Sequence, residues 1–154
     1  MIQRIQSLYL FVTALLMGSM LLLPIAEFTA DNGDIFTLTA FSLASVTQSE
    51  STLWMGILVV AATVLPMVTL FCFKRRMLQV RLCAALVVII LGVAAFVALY
   101  YWLSVTNALA EVGVCHKQLG WGAIMPIPSF ILTLLAARTI FKDEMLVRSL
   151  DRIR

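Results

Sequence analysis

A chain of 154 residues that is 62% hydrophobic and only 12% charged lies far from the roughly 25% charge of a soluble domain. It cannot clothe a globular core in charged side chains, so its solvent is lipid, and one compact bundle uses nearly every residue. The net charge of +3 comes from cations at the edges of apolar runs, which serve orientation in a membrane and not nucleic-acid binding.

The first apolar run is Leu8 to Ala26, nineteen residues placed behind Arg4. It exceeds the roughly 7–15 residues of a signal-peptide core, and Pro24-Ile25-Ala26 makes a poor cleavage site, so a retained first span is expected. At 1.5 Å per residue it matches the roughly 30 Å of a hydrocarbon core. Ala14 and Gly18 form a small-xxx-small pair, which suits either a close neighbouring helix or plain apolar filling. Glu27 to Thr52 follows as a polar loop holding Glu27, Asp31, Asp34 and Glu50 and no cation. Asp31-Asn32-Gly33-Asp34 is a turn sequence that tolerates positive φ. After it, Ile35-Phe36-Thr37-Leu38-Thr39-Ala40 alternates apolar residues with Thr from Phe36 on. The expectation is a small β-hairpin over the bundle mouth, packed on the spans or on a partner because a lone hairpin is marginal.

Span two is expected over about Leu53 to Phe73, with Trp54 at the membrane interface and a kink at Pro66. A basic island then carries Lys74, Arg75, Arg76 and Arg81, four cations that cannot sit in hydrocarbon and therefore fix topology. Span three covers about Leu82 to Leu103 and ends in an aromatic belt of Tyr100, Tyr101 and Trp102, with the helix continuing toward Ala108-Leu109-Ala110. The second loop, Ser104 to Gln118, holds Glu111, Cys115, His116 and Lys117. Span four is expected over Leu119 to Ala137, opening at Trp121 and bent near its middle by Pro126-Ile127-Pro128. Arg138 marks its exit, and residues 138–154 form a polar tail.

The charges divide by side. Arg4, the island, Arg138, Lys142, Arg148, Arg152 and Arg154 place ten basic residues on one side, against Lys117 alone on the other. Five of the eight acidic residues lie with Lys117. Both chain ends are therefore expected in the cytoplasm.

The four apolar cores hold no Asp, Glu, Lys, Arg or His, and such residues mark most ion paths and proton relays. Small four-span drug exporters, which need an embedded carboxylate, are a poor match. The hydroxyls of Thr13, Ser19, Thr63, Thr69, Ser129 and Thr133 are expected to bond back to their own helices. Cys72 and Cys83 fall at cytoplasmic ends and Cys115 lies alone across the membrane, so no paired thiols serve a thiol oxidase and no disulfide is expected. Cys115 and His116 lack the C-x-x-C-H spacing of haem attachment and give two metal ligands at best, to which Glu111 could add if it falls nearby. Gly120 and Gly122 are followed by no Lys-Ser or Lys-Thr, so no phosphate loop is present. No metal, cofactor or catalytic set is expected.

The opening Met1-Ile2-Gln3-Arg4-Ile5-Gln6-Ser7-Leu8-Tyr9-Leu10 and the closing Lys142-Asp143-Glu144-Met145-Leu146-Val147-Arg148-Ser149-Leu150-Asp151-Arg152-Ile153-Arg154 resemble a bacterial family of small four-span membrane proteins catalogued as a domain of unknown function. The resemblance implies a multi-pass inner-membrane protein and brings no catalytic residues with it.

The expectation is thus an all-α integral membrane protein, a single domain over residues 1–154, with four helices in an up-down bundle and a hairpin-like outer loop. Its first functional reading is a non-enzymatic accessory or scaffold protein that binds a protein partner, or a second copy of itself, through its cytoplasmic ends. As a helix, the tail sets Leu146, Leu150 and Ile153 on one apolar stripe, with Arg148 and Arg152 among the charges opposite. Asp143 and Glu144 pairing with Lys74, Arg75 or Arg76 would instead fold the tail under its own bundle. A transporter or lipid-handling protein, with a cavity between Pro66 and Pro126, is the alternative. An enzyme built on Cys115 and His116 comes third.

Overall fold

The computed structural model describes residues 2–30, 35–44, 49–72, 76–106 and 114–151. Four helices carry it: α1 (Ile2–Met20), α2 (Leu53–Phe71), α3 (Arg76–Thr106) and α4 (Pro126–Asp151). Each helix packs on its neighbours in sequence, and α4 closes the ring against α1. Three are long and apolar enough to cross a membrane, over Leu53–Phe71, Met77–Trp102 and Trp121–Leu146, whereas the apolar stretch of α1, Ile5–Met20, is shorter.

The outward stripe of α2 is Leu53, Ile57, Val60, Val64, Val68 and Phe71, all exposed. Positions at this spacing are polar on a helix that faces water. A contiguous apolar surface of this size needs a cover. Inside the ring, Leu10, Met17, Val59, Leu86, Ile90 and Ile140 are fully or almost fully buried. Gly18 faces Thr63 of α2, whose Cγ2 lies 3.4 Å from where a Cβ would stand. Gly18 of the small-residue pair thus lies against α2. All six core hydroxyls bond to a carbonyl three or four residues back, at 2.7–2.9 Å, five of them within their own helix and Ser129 to Met125 just before α4.

One end of the ring is capped by a five-stranded antiparallel sheet in the order β4-β3-β2-β1-β5. Its strands are β1 (Ala26–Ala30), β2 (Ile35–Leu38), β3 (Ser42–Ala44), β4 (Ser49–Ser51) and β5 (Val114–Leu119). The hairpin read from Asp31 to Ala40 exists as β1 and β2, which pair from Ala26↔Leu38 to Thr29↔Ile35. Its turn residues 31–34 lie outside the described residues. The sheet extends well beyond that hairpin, so the protein is mainly helical and not all-α. Alternation turns Ala26, Phe28, Phe36, Leu38 and Leu43 inward, where all are buried, and the Phe28 ring meets Tyr101 of α3 at 5.8 Å.

Two span boundaries are corrected. The apolar run to Ala26 does not stay helical: α1 stops at Met20, and Pro24, which cannot donate to a helix, leads into β1. Span four does not begin at Leu119, which belongs to β5. A 3-10 turn at Trp121–Ala123 precedes α4, whose first residue is Pro126. Pro126 and Pro128 therefore occupy the first helical turn, where a missing N–H costs nothing, and do not bend the middle of a span. Pro66 is buried within α2, which runs unbroken across it.

At the opposite end, the Gln6 amide donates to Asp143 Oδ2 at 3.2 Å, joining α1 to α4. The Gln79 amide donates to the Thr69 carbonyl at 3.1 Å, joining α3 to α2. Both glutamines are buried. The expected tail is no separate appendage, since α4 continues through it to Asp151. Arg76 begins α3 and Arg81 is exposed on it, while Lys74 and Arg75 lie outside the described residues.

Candidate functional site

The joint between sheet and bundle is a backbone seam. The Gly120 N–H donates to the Ile25 carbonyl at 2.9 Å, and the Gly122 N–H donates to the Pro24 carbonyl at 3.1 Å. A Cβ on Gly120 would stand 2.2 Å from the Pro24 oxygen, and one on Gly122 would stand 2.9 Å from it. The φ of Gly120 is −77°, an angle open to any residue. The glycine is needed here for space and not for conformation.

This seam hangs β5 and the start of α4 beside the end of α1, and an apolar groove opens below it. Two adjoining hollows, each of about 330 Å³, meet at Ala94 of α3 and Pro126 and Ile127 of α4. The one under the sheet is walled by Ile25, Leu38, Leu119 and Tyr101 among others. The other follows α3 and α4 past Ile90, Leu91, Phe130 and Ile131. The groove exists because Ala94 and Ala98, one helical turn apart, present only methyl groups there. Ala94, Ala98, Leu91, Ile127 and Ile131 are exposed, so the groove opens along the outer surface of the bundle.

Tyr101 supplies the single titratable side chain of this lining. Water needs two to four polar partners to settle in a cavity, and apart from Tyr101 these walls are apolar side chains. The arrangement suits a hydrocarbon chain, and its lining holds no nucleophile or acid–base pair.

Three exposed tryptophans mark the same end of the molecule: Trp54 at the start of α2, Trp102 near the end of α3, and Trp121 before α4. Trp is enriched where membrane meets water. The twenty-one residue steps from Arg81 to Trp102 on α3 rise about 32 Å, close to the thickness of a hydrocarbon core.

The residues singled out in the sequence are dispersed. His116 is exposed on β5. Thr29 pairs with His116 and Ala30 with Val114, so Cys115 is the extra residue of a bulge. Glu111 lies outside the described residues, and these hold no cluster of metal-ligating side chains. Leu146 is 51% exposed on α4, and Arg148 and Leu150 follow it on the same helix. Arg152 and Ile153 lie outside the described residues. Of the two prolines expected to flank a cavity, one takes part in this groove. Pro126 lines the groove, but Pro66 does not, because the groove lies between α3 and α4. Ala94, Ala98 and Leu119 give no signal in the sequence, since any apolar span contains such residues.

No curated protein matches the chain. The family described as Domain of unknown function (DUF4293) matches residues 2–153, which is almost the whole chain and includes all but the first and last residues of the two ends quoted above. The protein therefore belongs to that family of unknown function.

Proposed function

We propose that this is a non-enzymatic, lipid-handling protein of the bacterial inner membrane, with four spans and both chain ends in the cytoplasm. The groove between α3 and α4 takes an apolar chain sideways from the bilayer, and the sheet covers the groove on the extracytoplasmic side. The observation that carries this reading is the groove itself, walled apart from Tyr101 by apolar side chains and open along a face that lipid would cover. The ten-to-one division of basic residues supports the orientation, and the tryptophans at the sheet end support the depth.

A photo-crosslinking amino acid placed at Ile127 or at Val60 tests the reading. Val60 lies on the outward stripe of α2, away from the groove. After purification in mild detergent, which strips loosely held lipid, irradiation should give a lipid adduct from Ile127 and none from Val60. Absence of an adduct at Ile127 would contradict the proposal. A protein adduct there would mean that a partner helix fills the groove.

The accessory or scaffold reading retains one observation in its favour. Leu146 is exposed on the continuation of α4, on the side expected to be cytoplasmic. Replacing Leu146 and Leu150 with Ser should then remove a co-purifying protein and leave detergent melting unchanged. Lowered melting with no lost partner would show instead that the tail packs on its own bundle.

A further inference from the structure

Lys117 is the single Lys or Arg between Arg81 and Arg138, and orientation rules predict no cation at that end. Its place on the sheet gives it a use. β5 pairs with β1 in the register Ala26↔Leu119, Glu27↔Gln118, Phe28↔Lys117 and Thr29↔His116. Residues opposite each other share a face and alternate along each strand. Lys117 thus shares the bundle-facing side with Phe28 and Leu119, whereas Glu27, Thr29, His116 and Gln118 occupy the outer side.

Both inward neighbours of Lys117 lead to the groove. Leu119 forms part of its wall. Phe28 packs on Tyr101, which forms another part. Leu119 is two residues away, or about 7 Å along the strand, and a lysine stem can lie along apolar surface while its ammonium stays in water. Lys117 is itself exposed on an edge strand. Trp121, two residues beyond Leu119, and Trp102, next to Tyr101, are about three-quarters exposed, which sets this rim at headgroup depth. An apolar groove with one lysine two residues from its wall on the same strand face fits an amphiphile with an anionic head.

Resting on the groove reading above, we infer that the occupant is a bilayer phospholipid, its acyl chain between α3 and α4 and its phosphate paired with Lys117. The phosphate oxygens accept from the ammonium, an ion pair strengthened by proximity to apolar surface. The common role of a lysine on an edge strand is to deter pairing with another sheet. A glutamate serves that role equally and repels phosphate, so charge reversal separates the two.

The test is native mass spectrometry of the full chain in mild detergent, with phosphatidylglycerol or a diacylglycerol of the same chains added. The wild-type protein should retain phosphatidylglycerol over diacylglycerol by about tenfold, the scale of one charged hydrogen bond. Lys117→Glu should abolish that preference and leave diacylglycerol retention unchanged, and Lys117→Arg should restore it. A preference that survives Lys117→Glu overturns the assignment of the headgroup site, with the groove still standing if Ala98→Trp lowers retention of both lipids. Retention of neither lipid by the wild-type protein overturns the groove reading and this inference together.

Discussion

Gly120→Ala is expected to be the most damaging small substitution in the described part of the chain. The added methyl would meet the Pro24 carbonyl oxygen at 2.2 Å, with the Pro24 and Ile25 carbonyl carbons at 2.9 and 3.1 Å. These are backbone atoms fixed between α1 and β1, so no side-chain rotation relieves the clash. The seam must open, releasing the bonds from Gly120 to Ile25 and from Gly122 to Pro24. Overpacking of this kind costs about 1–3 kcal/mol, and each lost bond adds about 1 kcal/mol. A loss of roughly 3–5 kcal/mol is therefore expected, read as a fall in folded fraction during detergent or denaturant titration. Gly92→Ala is the matched control. Its new methyl would lie 3.8 Å from Leu58 Cδ1, an ordinary contact, and alanine favours the helix by about 1 kcal/mol. Equal damage from both substitutions would show that the seam holds nothing in place.

The seam also shows where sequence reading stops. Gly120-Trp121-Gly122 stands out in the sequence only as a phosphate loop that fails its pattern. Its purpose depends on Pro24, almost a hundred residues earlier, and no local signal connects them. Span one fails for a related reason. Leu21 to Ala26 continues the apolar run although it is turn and strand, with Ile25 and Ala26 buried and Leu22 exposed. Pro24 and the alternation Ala26-Glu27-Phe28-Thr29 carried the correction, but hydropathy summed over nineteen residues hides a period of two. Val114-Cys115-His116-Lys117-Gln118-Leu119 has no strand pattern and becomes a strand by pairing with β1.

What is local was legible. The hydroxyls satisfy nearby carbonyls, β1 and β2 pair as a hairpin, and the tail is helical to Asp151. Each depends on residues no more than about ten positions apart. The groove was not legible, because Ala94, Ala98 and Pro126 acquire meaning only when α3 and α4 lie side by side. The prolines misled for the same reason. Pro126 does mark the groove, yet its contribution is to start a helix beside α3.

Which leaflet supplies the groove's occupant depends on the sheet end facing away from the cytoplasm. The most direct measurement replaces the three native cysteines with alanine and introduces one cysteine, at Gln118 or at Arg81. Gln118 is exposed on the outer face of β5, and Arg81 is exposed near the start of α3. A maleimide that cannot cross the membrane is then applied to intact cells whose outer envelope has been made permeable. The ten-to-one basic division predicts near-complete labelling at position 118 and labelling at 81 only after the inner membrane is opened. Labelling at 81 with protection at 118 would reverse the orientation, and equal labelling at both would contradict insertion across the membrane altogether.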